Sequence, residues 1–220
     1  VAKLLLARHG QSVWNEKNIF TGWVDVPLSL RGIEESVALG KLIASHNIDR
    51  IYTSALVRAQ MTAFIAMVQH PLGKVLDKEP QGEIPFVSWY KKGCEDCIPV
   101  LAAWELNERM YGDLQGKNKQ EVMDLYGQEQ VQRWRRSFKE APPGGESLYD
   151  TARRVLPFFY QNIVPRLASR EDVFVCAHGN SLRAIVMEIE SLSEQQVPLL
   201  EVATGEVLIY SYDEEVFTRL

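Results

Sequence analysis

The sequence predicts an α/β domain: a three-layer sandwich with a mostly parallel central sheet and helices on both faces. Short apolar runs rich in β-branched residues alternate with stretches of helical periodicity. Two of those runs end in a His-Gly pair, at His9-Gly10 and His178-Gly179. A length of 220 residues suits one large domain, and the whole chain, 1–220, reads as a single catalytic unit.

Each element follows from local pattern. Residues 3–7 form a short buried strand, and Leu4-Leu5-Leu6-Ala7 is too short for a secretory apolar region. Ser29 is an N-cap candidate, with Ile33, Val37, Gly40 and Ile43 or Ala44 following at helical spacing. Residues 50–53 read as a second strand, with Ile51 supplying a β-branched residue. Residues 71–99 break the composition, with four prolines and three glycines, and the excursion extends to about 71–103. Loops of that length serve as lids, spacers or interface elements. Asn118 with Glu121 starts a short helix. Ser147 with Asp150 is a capping box. Leu148, Ala152, Val155, Phe159 and Ile163 continue that helix along one face, and Pro157 is expected to bend it. Residues 172–177 form another buried strand, and 205–212 a fourth candidate. No internal repeat or low-complexity tract is present.

Composition excludes several classes. No apolar run approaches the roughly 18 residues that span a bilayer, so no membrane partner is expected and the cytoplasm is the default location. A net charge of −5 argues against nucleic-acid binding through bulk charge. It leaves room for a small anionic substrate, because local cations outweigh a distant negative surface. Cys94 and Cys97 form a lone C-x-x-C with no second pair, so they read as free loop thiols in a reducing compartment rather than a zinc site. Cys176, in an apolar run, reads as core.

The chemistry gathers at strand ends. Arg8-His9-Gly10 follows the first strand, where ligands bind in open α/β sheets. Gly10 would allow a sharp turn and close approach to an anion. His178 follows another strand and precedes a helix, whose N-terminus suits phosphate. If the two strands are neighbours, both imidazoles face one pocket. Arg58 lies in the first turn of the helix after the second strand. Glu108 is a candidate acid or base, with Arg109 and Tyr111 able to hold substrate. Arg135 and Arg136 offer bidentate cations for phosphate or carboxylate.

Arg8-His9-Gly10 with His178 resembles the signature of the histidine phosphatase superfamily. The likeness goes further, through Gln11-Ser12-Val13-Trp14-Asn15, Thr21-Gly22-Trp23, Leu106 to Tyr111, Leu114 to Lys119, Trp134 to Phe138, Glu146-Ser147-Leu148 and Ala177 to Arg183. Over nearly the whole chain it is similar to the cofactor-dependent phosphoglycerate mutases of that superfamily. The resemblance implies interconversion of 3- and 2-phosphoglycerate, primed by 2,3-bisphosphoglycerate and without a metal. It implies His9 as the phosphorylated nucleophile, His178 as its partner, and Arg8, Arg58 and the Asn15 amide as a clamp on the phosphoryl oxygens. Glu108 would be the general acid and base. Ser12, Thr21, Gly22, Arg109, Tyr111, Lys119, Arg135, Arg136 and Asn180 would bind the rest of the substrate, with Gly179 contributing its backbone. The partners implied are small phosphorylated three-carbon acids.

Three departures from that family stand out. The stretch between Arg58 and Glu108 is longer than in the usual bacterial members. Only Gly144-Gly145 separates Pro143 from Glu146, where many members carry an insertion, so a homo-oligomer of different subunit count is an open expectation. The chain stops at Leu220, where the family's covering tail is expected to be abbreviated, and a weaker cover raises hydrolysis relative to transfer. Two other readings of the same fold are a phosphomonoesterase and a non-catalytic interaction protein. The first needs the Arg8, His9, Arg58, His178 core but not the second cation cluster. The second would be expected to have lost His9, His178 or Glu108.

Overall fold

The computed structural model describes residues 1–71, 74–78 and 96–220. Seven strands form one sheet in the order β3-β4-β2-β5-β1-β6-β7. They are β1 (Ala2–Arg8), β2 (Arg50–Ser54), β3 (Leu76–Lys78), β4 (Ile98–Ala103), β5 (Val173–Ala177), β6 (Val207–Asp213) and β7 (Val216–Arg219). Strands β1 to β5 are mutually parallel, whereas β6 runs antiparallel to β1 and β7 folds back on β6. The 71–103 excursion therefore contributes two sheet strands, β3 near its start and β4 at its end, where its composition argues for loop. Residues 72–73 and 79–95 of that excursion, with Cys94, lie outside the described residues.

Alternation along the strands assigns each residue to a face. Leu4, Leu6, Val173, Val175 and Tyr210 pack on one side, against α6 (Leu148–Phe158), α7 (Val164–Ala168) and α8 (Gly179–Ile189). Leu5, Ala7, Ile51, Phe174 and Cys176 pack on the other, against α2 (Leu30–Ile43) and α3 (Val57–Val68). Each fully buried Leu, Ile or Phe side chain contributes about 1.5–3 kcal/mol, so these two layers hold the frame that carries the site. A smaller apolar cluster of Phe20, Leu114, Val122 and Val131 ties α4 (Lys119–Tyr126) and α5 (Gln128–Arg136) to the loop after α1 (Val13–Glu16).

Helix starts match the caps. Ser29 Oγ accepts from the Gly32 N–H, Asn118 Oδ1 accepts from Gln120 and Glu121, and Ser147 with Asp150 forms the expected reciprocal box. The buried face of α2 meets expectation at Gly40 and Ile43 and differs at its start: Gly32, Ser36 and Leu39 face inward while Ile33 is exposed. The reason is close packing. A Cβ on Gly32 would sit 2.0 Å from the Gln11 carbonyl, and one on Gly10 would sit 2.3 Å from the Gly32 carbonyl. Gly10 thus makes close backbone contact with α2. Gly32→Ala is expected to cost about 1–3 kcal/mol by overpacking. Urea denaturation checks this, and unchanged stability would contradict the packing argument.

Helix α6 continues through Pro157 to Phe158. Beyond it the chain widens into a π segment, Phe159–Ile163, before α7 begins with Pro165 in its first turn. The Asn162 carbonyl there accepts from the Tyr52 hydroxyl at 2.8 Å. Cys97 is disulfide-bonded, which corrects the free-thiol expectation for that position. Cys176 is free and buried, as expected.

Candidate active site

Strand pairing brings the two His-Gly pairs together. In the parallel ladder of β1 and β5, Arg8 stands opposite Ala177, so the next residues, His9 and His178, emerge side by side at the carboxyl edge. Their ring centroids lie 4.8 Å apart. His9 Nδ1 is 2.6 Å from the Gly10 carbonyl. A carbonyl only accepts, so Nδ1 carries the proton and Nε2 keeps its lone pair. His178 Nε2 bonds the Ser54 hydroxyl at 2.7 Å, at the end of neighbouring β2.

Both imidazoles are buried, and burial is the leading cause that holds each well below the usual histidine range. The charges on Arg58 and Arg8 push both in the same direction. The neutral, nucleophilic form of His9 is therefore favoured at neutral pH. Stability follows from the same shift. Below about pH 6.5 an unfolded histidine binds a proton that the native one refuses, so stability is full above that pH and declines on acidification. His178→Gln is expected to show a shallower loss of melting temperature than the parent between neutral pH and about pH 5.5. Parallel curves would contradict this.

A pocket of about 130 Å³ opens over His9. It is lined by six cations, Arg8, Arg58, Lys119, Arg135, Arg136 and Arg183, and one carboxylate, Glu108. This local excess of positive charge outweighs the −5 of the whole chain. Asn15, Thr21, Gly22, Tyr111, Gly179 and Asn180 complete the polar lining. Thirteen of the sixteen residues named from sequence thus meet at one cavity.

Three do not line it. His178 stands behind His9. Ser12 is buried as the N-cap of α1, where it exchanges bonds with Asn15: Ser12 N–H donates to Oδ1 and the Asn15 N–H to Ser12 Oγ, both at 3.1 Å. That exchange leaves the Asn15 Nδ2 as the unused donor. Arg109 is fully buried, stacked 5.3 Å from the Tyr111 ring centroid and donating to the Arg135 carbonyl.

The cations are aimed by backbone carbonyls. Arg58 donates to Gly22 at 2.7 Å and Val24 at 3.0 Å, and burial lowers its pKa to about 10. Arg8 donates to Val202 at 2.8 Å, and Arg136 bonds the exposed Glu201 at 2.7 Å. Arg8 Nε and Arg136 Nη1 are buried and have no partner among the described residues. Gly22 has φ +53°, and a Cβ there would strike the Gln115 side chain at 2.1 Å.

Glu108 is the one acidic group in the lining. Its Oε1 accepts from the Arg109 N–H at 2.8 Å, the Asn180 amide at 2.8 Å and the Asn180 N–H at 3.2 Å. Burial alone would raise its pKa. Arg8, the Arg109 N–H, Asn180 and Arg58 outweigh burial and hold the carboxyl below its ordinary value.

Sequence reading missed Arg154, Trp23 as a positioning group, and Arg183. Arg154 donates to the carbonyls of Glu105, Asn107 and Glu108 at 2.6, 3.0 and 2.9 Å, and pairs with Glu146 through two bonds at 2.9 and 2.8 Å. The Trp23 indole N–H donates to the same Glu108 carbonyl at 2.6 Å. One guanidinium and one indole thus fix the backbone that presents Glu108. Nothing local distinguishes Arg154 from its neighbour Arg153, because both read as exposed helix positions until the helix is docked.

This fold and site define a phosphate-handling enzyme built around paired histidines, and the chain belongs to the histidine phosphatase superfamily (branch 1), whose family model matches residues 4–96 and 89–219. It is 50% identical over 223 residues to the 2,3-bisphosphoglycerate-dependent phosphoglycerate mutase of Protochlamydia amoebophila, a match covering 100% of this chain and 99% of the relative. It is 50% identical over 218 residues to the enzyme of the same name from Chlamydia muridarum, covering 98% and 96%. Among solved structures it is similar to Bacillus stearothermophilus YhfR, with a TM-score of 0.77 at 25% identity, over 100% of this chain and 95% of that one. A mycobacterial glucosyl-3-phosphoglycerate phosphatase superposes with a TM-score of 0.77 at 23% identity, over 100% and 98%, a likeness of fold alone.

Proposed function

We propose that this protein interconverts 3-phosphoglycerate and 2-phosphoglycerate through a phosphohistidine on His9, in the cytoplasm and within glycolysis and gluconeogenesis. The observation that carries the reading is the second cation group, Lys119, Arg135 and Arg136, in the same cavity as His9, Arg8 and Arg58. A phosphomonoesterase needs only the group around His9; a substrate with a second anion at the far end of three carbons needs both.

Bound 2,3-bisphosphoglycerate would supply the phosphoryl group that loads His9. The buried, unpartnered Arg8 Nε and Arg136 Nη1 fit an oxyanion ligand. His9 Nε2 attacks phosphorus, and Arg8, Arg58 and the Asn15 amide neutralise charge on the equatorial oxygens. The Gly179 N–H at the start of α8 adds a helix N-terminus to that clamp. His178 stands behind His9 with Nε2 bonded to Ser54 and Nδ1 without a partner among the described residues, so Nδ1 is the atom left to donate toward the transferred group.

In the forward transfer the N–P bond of phosphohistidine breaks as the substrate 2-hydroxyl oxygen bonds phosphorus. Glu108, ionised in the resting site, takes the hydroxyl proton. In the return transfer His9 takes the 3-phosphoryl and Glu108 gives that proton to the leaving oxygen. Proton and phosphoryl group balance over the cycle. The arginines supply the electrostatic stabilisation, so the reading requires no metal. Thr21, Gly22, Tyr111, Asn180, Lys119, Arg135 and Arg136 hold the carboxylate and the second phosphate, while Ser12 and Arg109 act from behind by holding Asn15 and Tyr111.

Lys119 gives the site a basic limit. Burial, then the charges of Arg135 and Arg8, lower its pKa to about 8. It therefore loses its charge as pH rises through that value, and KM for 3-phosphoglycerate is expected to climb. Lys119→Arg should flatten that rise; an identical profile would remove Lys119 from binding.

A coupled assay with 3-phosphoglycerate, with and without the bisphosphate, while free phosphate is followed, tests the function. Strong primer dependence with little phosphate release supports the mutase. Steady phosphate release without 2-phosphoglycerate would assign a phosphatase.

A further inference from the structure

Arg183 lines the pocket but carries none of the roles above. It lies in α8, three residues after Asn180, and is 8% exposed. Its Nε donates to the Leu200 carbonyl at 2.7 Å, and its Nη1 bonds the Asn180 side chain at 3.1 Å. A guanidinium has no acceptor. The Asn180 atom that faces it must therefore be the amide oxygen. The amide NH₂ is then turned the other way, onto Glu108 Oε1. With the two backbone N–H groups, that oxygen holds three donors, and Oε2 takes none of these bonds.

We propose that Arg183 is a positioning residue for the transfer: acting through Asn180, it commits Oε1 of Glu108 to the protein and leaves Oε2 to exchange the proton with the substrate hydroxyl. The inference rests on the mutase reading. Its logic is one of amide orientation. If Asn180 were flipped, its oxygen would face Oε1, and two acceptors would repel. The Leu200 carbonyl anchors Arg183 from outside the cavity, so the orientation is set before substrate arrives.

Several groups face the Glu108 carboxylate. They are Arg8 from β1, Arg58 from α3, Lys119 from α4, Asn180 and Arg183 from α8, and the Arg109 N–H of its own segment. Arg154 reaches the Glu108 carbonyl rather than the carboxylate. Loss of Arg183 removes a positive charge and the amide orientation together. Both favour the ionised carboxyl, so both losses move its protonation to higher pH.

The test compares the parent enzyme with R183M and R183K in the primer-dependent assay across pH, with E108Q identifying the acid limb that belongs to Glu108. R183M is expected to lose about tenfold in kcat, the scale of one charge-assisted hydrogen bond, and to shift that limb of kcat/KM to higher pH. R183K keeps the charge but lacks the fork that spans Leu200 and Asn180, so it should fall between. A drop in kcat with the limb unmoved would mean a structural role only. A rise in KM alone would mean a substrate cation only. Either overturns the proposal, and if R183M fails to fold, an unmoved limb in R183K overturns it as well. A parent enzyme without primer-dependent turnover overturns the mutase reading itself.

Discussion

His9→Ala is expected to abolish both turnover and labelling by 2,3-bisphosphoglycerate while leaving the protein folded. In the proposed mechanism the imidazole forms the bond to phosphorus, and His9 is the one imidazole in the pocket lining, its Nε2 left free by the Nδ1 bond to the Gly10 carbonyl. A loss of at least about 10⁴ in kcat fits the removal of a covalent catalyst. The fold should survive. His9 is buried, yet its removal relieves a desolvated ring held close to Arg58 and Arg8, and the β1 ladder to β5 and β6 is made by backbone. Circular dichroism and melting temperature check that half of the expectation. A folded His9→Ala protein that still accepted acid-labile phosphate would show that the nucleophile lies elsewhere.

Glu108→Gln separates proton transfer from binding. Glutamine keeps an oxygen for the Arg109 and Asn180 donors at Oε1, so the 107–109 backbone, already held by Arg154 and Trp23, should stay in place. What is lost is the ability to take and return a proton. General acid–base help is worth about 10²–10⁴ in rate, and kcat should fall by that range with KM little changed. The loss should be smaller for substrates with a better leaving group, because a weakly basic oxygen departs without a proton. Turnover equal to the parent would remove Glu108 from the mechanism. A large rise in KM at constant kcat would recast it as a binding residue.

Much of this was legible in the sequence, and the reasons are particular. Capped helices declare their starts, as at Ser29, Asn118 and Ser147, because the cap residue and its partner are neighbours in the chain. The His9 and His178 pairing was legible because each residue follows a buried strand, and one assumption, that those strands are neighbours, places both rings. The parallel register of β1 with β5 meets that assumption.

What was hidden depends on partners remote in sequence. The inward face of α2 is set by Gln11 and Gly10 pressing on Gly32, so the apolar spacing of Ile33 and Val37 misled. Strands β3 and β4 are short and lie where prolines and glycines argue for loop; Pro99 sits within β4 itself. Arg154 and Arg183 look like ordinary helix cations until the helices dock, when carbonyls of residues 105–108 and of Leu200 receive them. Neither residue belongs to a local motif. Architectures like that of the mycobacterial phosphatase share the frame, so the frame alone does not choose between transfer and hydrolysis. The choice lies with the side chains at the far end of the pocket.

Brief incubation with 2,3-bisphosphoglycerate, followed by mass spectrometry of peptides kept at alkaline pH, addresses the core claim head on. A single acid-labile phosphoryl group on the peptide bearing residue 9, discharged on addition of 3-phosphoglycerate, is the predicted result. Brisk primer-dependent turnover with no phosphate on that ring, or with phosphate on another side chain, would contradict the account.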